Sequence, residues 1–317
     1  MIIDMHTHAG RPRRTGAVDR AVLATMRPGG VAAAVISAIA DLPMIRRDPA
    51  TKRLEKVRDP EPGECLACVE GYLDSFAAAG MRLAREPDEI HPENPALILA
   101  IEGCDFLEGN LDRLDAMAAR GVRSIQLTHV LVNETGDIQT APPVHGGLTA
   151  FGAAAVRRMN RLGVIVDVAH CSEATVQGVA RVATKPFVCS HANLKEPGHP
   201  DGDHPRYLSP DYARMVVESG GVIGAWIAVL WREGFSGLIR HLFRLIDAVG
   251  IDHVGIGTDS DLLSERGTNS VWSGATGGFF NIVAAEMLRQ GFTPDEIAKF
   301  GGGNYCRVFD KATAGHA

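Results

Sequence analysis

The amino-acid sequence predicts an α/β fold of the (β/α)8 TIM-barrel class, and two observations support this class. Eight short apolar runs recur along the chain, and helical patterns fill most of the gaps between them. Nearly continuous apolar strands that alternate with helices indicate a parallel sheet covered on both faces. Eight such units suggest that the sheet closes into a barrel. The length of 317 residues suits one barrel with insertions.

Each predicted strand is an apolar run of the length that buried parallel strands have. In chain order the runs are residues 2–8, 31–40, 96–103, 124–129, 164–170, 186–191, 221–228 and 253–261.

The predicted helices begin with recognisable start signals. Ser172 precedes Glu173, Ser209 precedes a proline in the first turn, and Thr293 stands three residues before Glu296. The helical patterns cover residues 17–27, 64–85, 109–120, 149–162, 172–183, 209–218 and 236–249, and closing helices are predicted at 276–290 and 293–300.

Two stretches read as loop insertions. Residues 41–63 are charged and rich in proline, and we expect a lid or an edge loop there. Residues 192–208 are too long for an ordinary loop between a strand and a helix. Both follow strands and therefore lie at the catalytic end of a barrel. Neither divides the chain, so we expect a single domain over residues 1–317.

Composition excludes several classes of function. The net charge is −6 with no basic block, whereas nucleic-acid binding requires clustered Lys and Arg. No stretch approaches the roughly 20 apolar residues of a membrane helix, and no basic segment followed by an apolar core marks a signal peptide. Six cysteines do not make a disulfide scaffold. We expect a cytoplasmic protein that acts on a small molecule, with no membrane or nucleic-acid partner.

Two histidines, His6 and His8, lie one residue apart at the end of the first predicted strand. Side chains two residues apart in a strand point to the same face, so these histidines should project together, with Asp4 behind them. Taken alone, the pair fits a metal site and a pair of satisfied polar residues equally well.

Chemically reactive side chains also end most of the other predicted strands. Five of the twelve histidines occupy such ends, at the edge where active sites of this barrel collect. We interpret the other histidines, His241 among them, as ordinary surface or loop residues. The strand-end residues are His6, His8, Glu102, His129, His170, His191 and Asp259.

Imidazole and carboxylate groups are the ligands that zinc prefers, with other divalent metals possible. The sequence therefore predicts one or two zinc-like ions at the barrel mouth. Two ions require a bridging anion, and because no lysine stands at a strand end, Glu102 is the best bridge.

The motifs in this order resemble the renal (membrane) dipeptidase family of the amidohydrolase superfamily. They are H-x-H at 6–8, IEG at 101–103, LTH at 127–129, DVAH at 167–170, SHANL at 190–194, GIGTDSD at 255–261 and GGGNYCRVF at 301–309. The resemblance extends from Asp4 to Phe309. It implies a (β/α)8 barrel with two zinc ions, a homodimer, and an enzyme that hydrolyses dipeptides and tolerates D-residues at the C-terminal position.

The resemblance also implies a role for each site residue. His6 and His8 match ligands of the first metal, Glu102 matches the bridging carboxylate, and His170 and His191 match ligands of the second metal. Asp259 matches the acid that holds the bridging water, and His129 matches the residue that polarises the scissile carbonyl. Arg206, in HPRYLSPDYA, resembles the arginine that binds the terminal carboxylate of the substrate.

One position departs from the family pattern. Familiar members read H-x-D at strand 1, whereas this chain reads H-x-H, which removes one negative charge from the first metal site. The departure bears on substrate identity more than on reaction type. We predict a binuclear zinc dipeptidase. The alternatives are another amidohydrolase, acting on an N-acyl-amino acid, a lactam or a lactone, and a catalytically degenerate accessory protein.

Overall fold

A computed structural model describes residues 1–8, 26–27, 29–51, 53–78, 80, 82–200, 202–261 and 279–315. Within these ranges the strands are β1 (Ile2–His8), β2 (Val31–Ile39), β3 (Ile45–Arg47), β4 (Leu54–Lys56), β5 (Ala96–Glu102), β6 (Val122–Gln126), β7 (Ile165–Asp167), β8 (Cys189–Ala192), β9 (Ile223–Trp226), β10 (Val254–Gly257) and β11 (Ser260–Asp261).

Eight of these strands form one parallel sheet in the order β7-β6-β5-β2-β1-β10-β9-β8. The two ends of the sheet meet through a parallel bridge between Asp167 and Val188. Backbone bonds reinforce this junction, since Val168 donates to the Val188 carbonyl at 2.8 Å and Val188 donates to the Val166 carbonyl at 3.0 Å. The sheet therefore closes into the predicted barrel.

Helices alternate with the barrel strands. They are α1 (Glu64–Ala78), α2 (Asp112–Ala119), α3 (Ala150–Arg161), α4 (Glu173–Val182), α5 (Pro210–Glu218), α6 (Leu230–Val249), α7 (Phe279–Arg289), α8 (Pro294–Ala298) and α9 (Asn304–Thr313), with a π-helical turn at Lys299–Gly303. Short 3₁₀ helices lie at Leu42–Met44, Pro87–Glu89, Asp105–Leu107, Ile227–Val229 and Ile251–His253. No helix among the described residues is both long enough and apolar enough to cross a bilayer.

The predicted caps are present in the structure. The Ser172 hydroxyl accepts from the Thr175 amide, and the Ser209 hydroxyl accepts from the Tyr212 amide. Thr293 opens α8 with a reciprocal capping box. Each cap satisfies a backbone donor that the first turn of a helix leaves free.

Two sets of buried side chains alternate along the barrel strands. Ala34 and Ile36 of β2 pack in the larger cluster, which includes the helices. Ala33 and Val35 belong to a smaller cluster inside the barrel, which α9 completes with four side chains. These four are Tyr305, Val308, Phe309 and Ala312. Asn304 donates to the carbonyls of Ile251 and Val254, so α9 lies at the amino end of the strands.

All eight predicted strands are confirmed, although several end earlier than predicted. The strand predicted at 124–129 ends at Gln126, and the one at 164–170 ends at Asp167, so His129 and His170 lie in the loops that follow. The helix predicted at 64–85 was too long, since it ends at Ala78. The helix predicted at 17–27 falls almost wholly outside the described residues.

The two predicted insertions differ in structure. Residues 41–63 contain a 3₁₀ turn and the antiparallel pair β3–β4. Beyond β8, the described residues of the 193–208 loop contain no helix, and Leu194 pairs with Leu208 at the base of the loop. Helix α9 was not predicted, although its four apolar residues recur with helical spacing.

Candidate metal centre

The carboxyl ends of the barrel strands bring a cluster of histidines and carboxylates together. The strand faces that point into the barrel carry the smaller core cluster, and the same faces continue to the carboxyl ends of the strands. In β2, Ser37 follows Val35 on that face, and in β5, Glu102 follows Ile98 and Ala100. Apolar packing thus fills the amino half of the barrel, and polar side chains fill the carboxyl half.

A β-bulge directs His6 into this cluster. The pairing of β1 with β2 shifts register by one residue between Asp4 and Thr7. Met5 packs in the inner core cluster, and His6, the next residue, also reaches the interior. Bulges turn consecutive side chains in this way. Asp4 does not stand behind the histidines as predicted, because its carboxylate accepts from the amide and hydroxyl of Thr258.

Glu102 lies at the centre of the cluster and is fully buried. Four imidazole nitrogens surround its carboxylate. The Nε2 atoms of His6, His129 and His170 lie 3.5, 3.5 and 3.4 Å from Oε1, and His8 Nε2 lies 3.4 Å from Oε2. No described residue donates a hydrogen bond to Oε2. A buried carboxylate oxygen without a donor is costly, and a cation would satisfy it.

The histidines also approach one another in pairs. The Nε2 atoms of His6 and His8 are 3.3 Å apart, and those of His170 and His191 are 3.1 Å apart. Two ligands of a tetrahedral zinc ion, each about 2.0–2.1 Å from the metal, lie about 3.3 Å from each other. The pairs therefore have the spacing that two ligands of one ion require.

Three groups of side chains could each hold a divalent ion. Within each group the possible ligand atoms lie within 4.8 Å of one another. The groups are His6 with Glu102 and His191, His6 with His8 and Asp259, and Glu102 with His129 and His170. The residues present therefore fit a metal centre, and Glu102 belongs to two of the three groups.

Burial keeps three of the histidines neutral, which is the form that binds metals. Burial lowers the pKa of His6 to about 4 and, together with the nearby Arg206 charge, lowers the pKa of His170 to about 3. Burial and the neighbouring His6 hold the pKa of His191 well below its usual range.

The other two histidines have raised pKa values. Burial opposes the charged form of His8, but its hydrogen bond with Asp259 and the charge of Glu102 outweigh burial and raise its pKa to about 9. Burial likewise opposes the charged form of His129, and the charges of Asp41 and Glu102 raise its pKa to about 9. His8 would release its proton on binding a cation.

Asp259 lies beside His8 at the end of β10. Its Oδ1 is 3.2 Å from His8 Nε2, and its Oδ2 accepts from Trp226 Nε1 at 3.0 Å. Burial alone would raise the pKa of Asp259, but the hydrogen bond with His8 and the nearby imidazoles lower it below the usual value. Asp259 is therefore a carboxylate at neutral pH.

Arg206 reaches the same cluster from the 193–208 loop. It is 9% exposed, and its Nη1 lies 2.7 Å from the imidazole of His170. The guanidinium carbon lies 5.2 Å from the centroid of the Trp226 ring. No described residue accepts a hydrogen bond from Nε or Nη2, although both are buried. Arg206 thus offers two free donors to an anion bound beside the cluster.

Sequence comparison places the chain in a known family. A family model described as "Membrane dipeptidase (Peptidase family M19)" matches residues 23–316. The chain belongs to the membrane dipeptidase family.

Two curated members of the family are similar over most of this chain. Dipeptidase verJ of Clonostachys rogersoniana is 30% identical over 250 residues, which cover 76% of this chain and 61% of that protein. Dipeptidase aclJ of Aspergillus oryzae is 30% identical over 230 residues, which cover 68% of this chain and 51% of that protein. The chain therefore spans only about half to three fifths of the length of these relatives.

Solved dipeptidase structures share the fold. The metallopeptidase of Rhodobacter sphaeroides, solved with a phosphinate mimic of the dipeptide L-Ala-D-Ala, superposes with a TM-score of 0.77 at 21% identity, covering 98% of this chain and 99% of that one. The probable dipeptidase PvdM of Pseudomonas aeruginosa gives a TM-score of 0.75 at 21% identity, and the match covers 98% of this chain and 95% of that chain.

The structure brings all eight predicted site residues into one cluster and adds two residues that contact it. Asp41 is fully buried, its Oδ1 lies 2.7 Å from His129 Nδ1, and its Oδ2 accepts from the Val130 amide. It follows β2 by two positions, so the strand-end pattern could have identified it. Trp226, at the end of β9, is half-buried and contacts both Asp259 and Arg206.

Two site residues have strained backbones. His170 has φ 67° and Asp259 has φ 49°, and only one other non-glycine residue in the described ranges has positive φ. Such conformations cost energy and concentrate at functional sites.

His241 is not the ordinary surface residue that we predicted. It is 1% exposed on α6, its Nε2 lies 3.5 Å from Glu233 Oε1, and its ring packs against Tyr207. Tyr207 is the neighbour of Arg206, so His241 supports the base of the 193–208 loop.

Proposed function

We propose that the protein hydrolyses the amide bond of dipeptides with two divalent metal ions, zinc being the expected ion, and accepts D-residues at the C-terminal position. Membership of the membrane dipeptidase family supports the reaction class. The dipeptide mimic bound to the Rhodobacter sphaeroides structure contains a D-residue, which supports the stereochemical part.

Five residues are the proposed ligands. His6 and His8 would hold the first ion, His170 and His191 the second, and Glu102 would bridge them. The spacing of the two histidine pairs and the position of Glu102 among four imidazoles support this division. When bound, the ions would polarise the scissile carbonyl and make a water molecule more acidic.

Asp259 and His129 are the proposed acid-base and electrophilic residues. Asp259 would accept a proton from the attacking water as the water oxygen bonds to the carbonyl carbon. With its Nδ1 held by Asp41, His129 would donate from Nε2 to the carbonyl oxygen as negative charge develops there. Asp259 would then protonate the leaving amine as the C–N bond breaks.

Arg206 is the proposed binding site for the substrate carboxylate. Its buried Nε and Nη2 have no described acceptor, and two parallel N–H donors match a carboxylate. The observation that carries the proposed function is this arrangement: a free guanidinium edge beside a cluster of metal-binding side chains.

The test is a panel of substrates with zinc-loaded protein. L-Ala-L-Ala, L-Ala-D-Ala and N-acetyl-D-alanine are compared, and the Glu102→Gln variant serves as control because it removes the bridging charge. Hydrolysis of either dipeptide by the wild type but not by the variant is expected. Absence of turnover of both dipeptides would overturn the proposed substrate class.

A second candidate is hydrolysis of N-acyl-amino acids. The carboxylates of the described site are all engaged, Asp41 by His129, Asp259 by His8 and Trp226, and Glu102 by four imidazoles. Within the described residues, none of them is free for the ammonium group of a dipeptide. Turnover of N-acetyl-D-alanine in excess of both dipeptides would favour this candidate.

Three further proposals concern the whole protein. We propose that residues 1–317 act as one catalytic domain, that the protein is a homodimer, and that it works in the cytoplasm. A mass measurement in solution tests the dimer, and cell fractionation tests the location. A zinc-loaded protein that hydrolyses no substrate in the panel would support the accessory role instead.

A further inference from the structure

Trp226 contacts the two groups that the proposed function assigns to the scissile amide bond and to the substrate carboxylate. Its indole N–H donates to Asp259 Oδ2 at 3.0 Å. The Arg206 guanidinium lies 5.2 Å from its ring centroid, within the range of a cation–π contact. One side chain at the end of β9 therefore contacts both the proposed acid-base residue and the proposed carboxylate site.

The hydrogen bond from Trp226 fixes the orientation of Asp259. Its Oδ1 faces His8 Nε2 at 3.2 Å, and its Oδ2 receives the indole hydrogen bond. With both oxygens held from different directions, the carboxylate cannot rotate away from the cluster. Hydrogen-bond partners of this kind commonly contribute about tenfold to a hundredfold to activity.

The ring also constrains Arg206. The guanidinium has one described hydrogen-bonding partner, the His170 imidazole, and its Nε and Nη2 have none. The guanidinium lies over the indole face, and this contact uses no N–H donor, so Nε and Nη2 stay free for a carboxylate. The backbone of Trp226 is held by Asn193, whose Nδ2 donates to the Trp226 carbonyl at 3.0 Å.

We propose that Trp226 is a positioning residue that sets the separation between the proton-transfer group Asp259 and the carboxylate-binding group Arg206. The proposal rests on the proposed function. It assigns two separable tasks to one indole, the N–H to Asp259 and the aromatic face to Arg206.

Two substitutions separate the tasks. Trp226→Phe keeps an aromatic face but removes the N–H, so kcat for L-Ala-D-Ala should fall about tenfold or more while KM changes less than threefold. Trp226→Leu removes both, so kcat should fall as much and KM should also rise, by about threefold to thirtyfold. A purely structural tryptophan would change both constants together in both variants.

Phe243→Leu is the control. Phe243 lies on α6 with its ring stacked on Phe292, so this variant should lower the melting temperature and leave kcat and KM unchanged. Binding of D-alanine, followed by NMR titration, gives a readout without turnover. Trp226→Phe should bind D-alanine as the wild type does, and Trp226→Leu should bind it more weakly.

The outcomes distinguish the two proposals. Wild-type protein that hydrolyses no dipeptide overturns the proposed function, and D-alanine binding then still tests the contact with Arg206. Active wild-type protein with an unaltered kcat in Trp226→Phe overturns the link to Asp259. Equal KM and equal D-alanine affinity in Trp226→Phe and Trp226→Leu overturn the proposed role of Trp226 in positioning Arg206.

Discussion

Arg206 is a buried cation whose guanidinium edge is incompletely used by the protein. Burying donors without acceptors is unfavourable, so a site retains them when a ligand supplies the acceptor. Arg206 was predicted to bind a carboxylate from its motif alone, and the structure adds that two of its buried donors have no described acceptor.

Arg206→Lys should raise KM for dipeptides about tenfold or more with a smaller change in kcat. Lysine keeps the charge but cannot present two parallel donors, and one hydrogen bond to a charged group contributes about 1.5–3 kcal/mol. Steady-state kinetics measure the effect. Arg158→Lys, on α3 beside Asp112 and Asp115, is the matched control. Wild-type kinetics in Arg206→Lys would remove Arg206 from carboxylate binding.

Asp259→Asn should lower kcat by about 10²–10⁴-fold while metal content stays near that of the wild type. Asparagine has nearly the same shape but cannot accept the proton of the attacking water. Activity, metal content and melting temperature are measured on one preparation. A nearly normal kcat with full metal would end the proton-transfer assignment, whereas lost metal would make Asp259 a ligand together with His6 and His8.

Asp167 gives a pH dependence of stability. Burial raises its pKa from 3.8 to about 6, although the amides of Ala169 and Ser190 both donate to Oδ1 at 3.0 Å. Because the folded-state pKa lies above the unfolded one, folding favours the protonated acid. The contribution of Asp167 to stability is therefore present below about pH 4 and is lost as pH rises through 6.

Asp167→Asn should remove this dependence, since asparagine keeps the acceptor and carries no charge. The stability of the variant relative to the wild type should increase by up to about 3 kcal/mol between pH 4 and pH 7. Urea denaturation of chelator-treated protein at the two pH values measures the difference. A constant difference between the two proteins would show that Asp167 has an ordinary pKa in the folded state.

In strand β1, the alternation of side chains predicts only part of which residues face the interior of the barrel. Strict alternation predicted correctly that His6 and His8 converge, but it placed Asp4 on the wrong side. The bulge between Asp4 and Thr7 depends on hydrogen bonding to the neighbouring strand, which no local pattern encodes. A second register shift lies between Cys189 and Ala192, where β8 pairs with β9, and His191 lies within it.

Helix α9 closes the amino end of the barrel, opposite the metal centre. Phe309→Ala should lower the free energy of unfolding by about 3–5 kcal/mol, because the ring is fully buried in the inner core. The kcat of the Phe309→Ala variant should remain near that of the wild type. Urea unfolding at 25 °C measures the free energy of unfolding, and steady-state kinetics measure kcat.

Tyr305→Phe is the companion variant for α9. The Tyr305 hydroxyl is buried without a hydrogen-bond partner in the described part of the chain, so its removal should leave stability unchanged or higher. An unfolding midpoint of Phe309→Ala equal to that of the wild type would refute the role of α9 in holding the barrel closed.

At the scale of the molecule, the sequence predicted the barrel because parallel strands and their helices leave periodic signals. Seven of the eight proposed site residues were predicted because they stand at strand ends, which the barrel brings together, and Arg206 was predicted from its motif. It missed the contacts of Asp41 and Trp226 because their significance lies in partners distant in sequence, His129 and Asp259. Residues 9–25, which follow β1, and residues 262–278, which follow β11, lie outside the described ranges.

The central claim is that two divalent ions bind in this cluster of histidines and carboxylates, with Glu102 between two pairs of histidines. Elemental analysis of wild-type protein purified without chelator and saturated with zinc tests it most directly. The proposed ligand set predicts close to two equivalents of metal per chain. A saturated preparation that holds one equivalent would contradict the binuclear centre, and one that holds none would contradict the metal site itself.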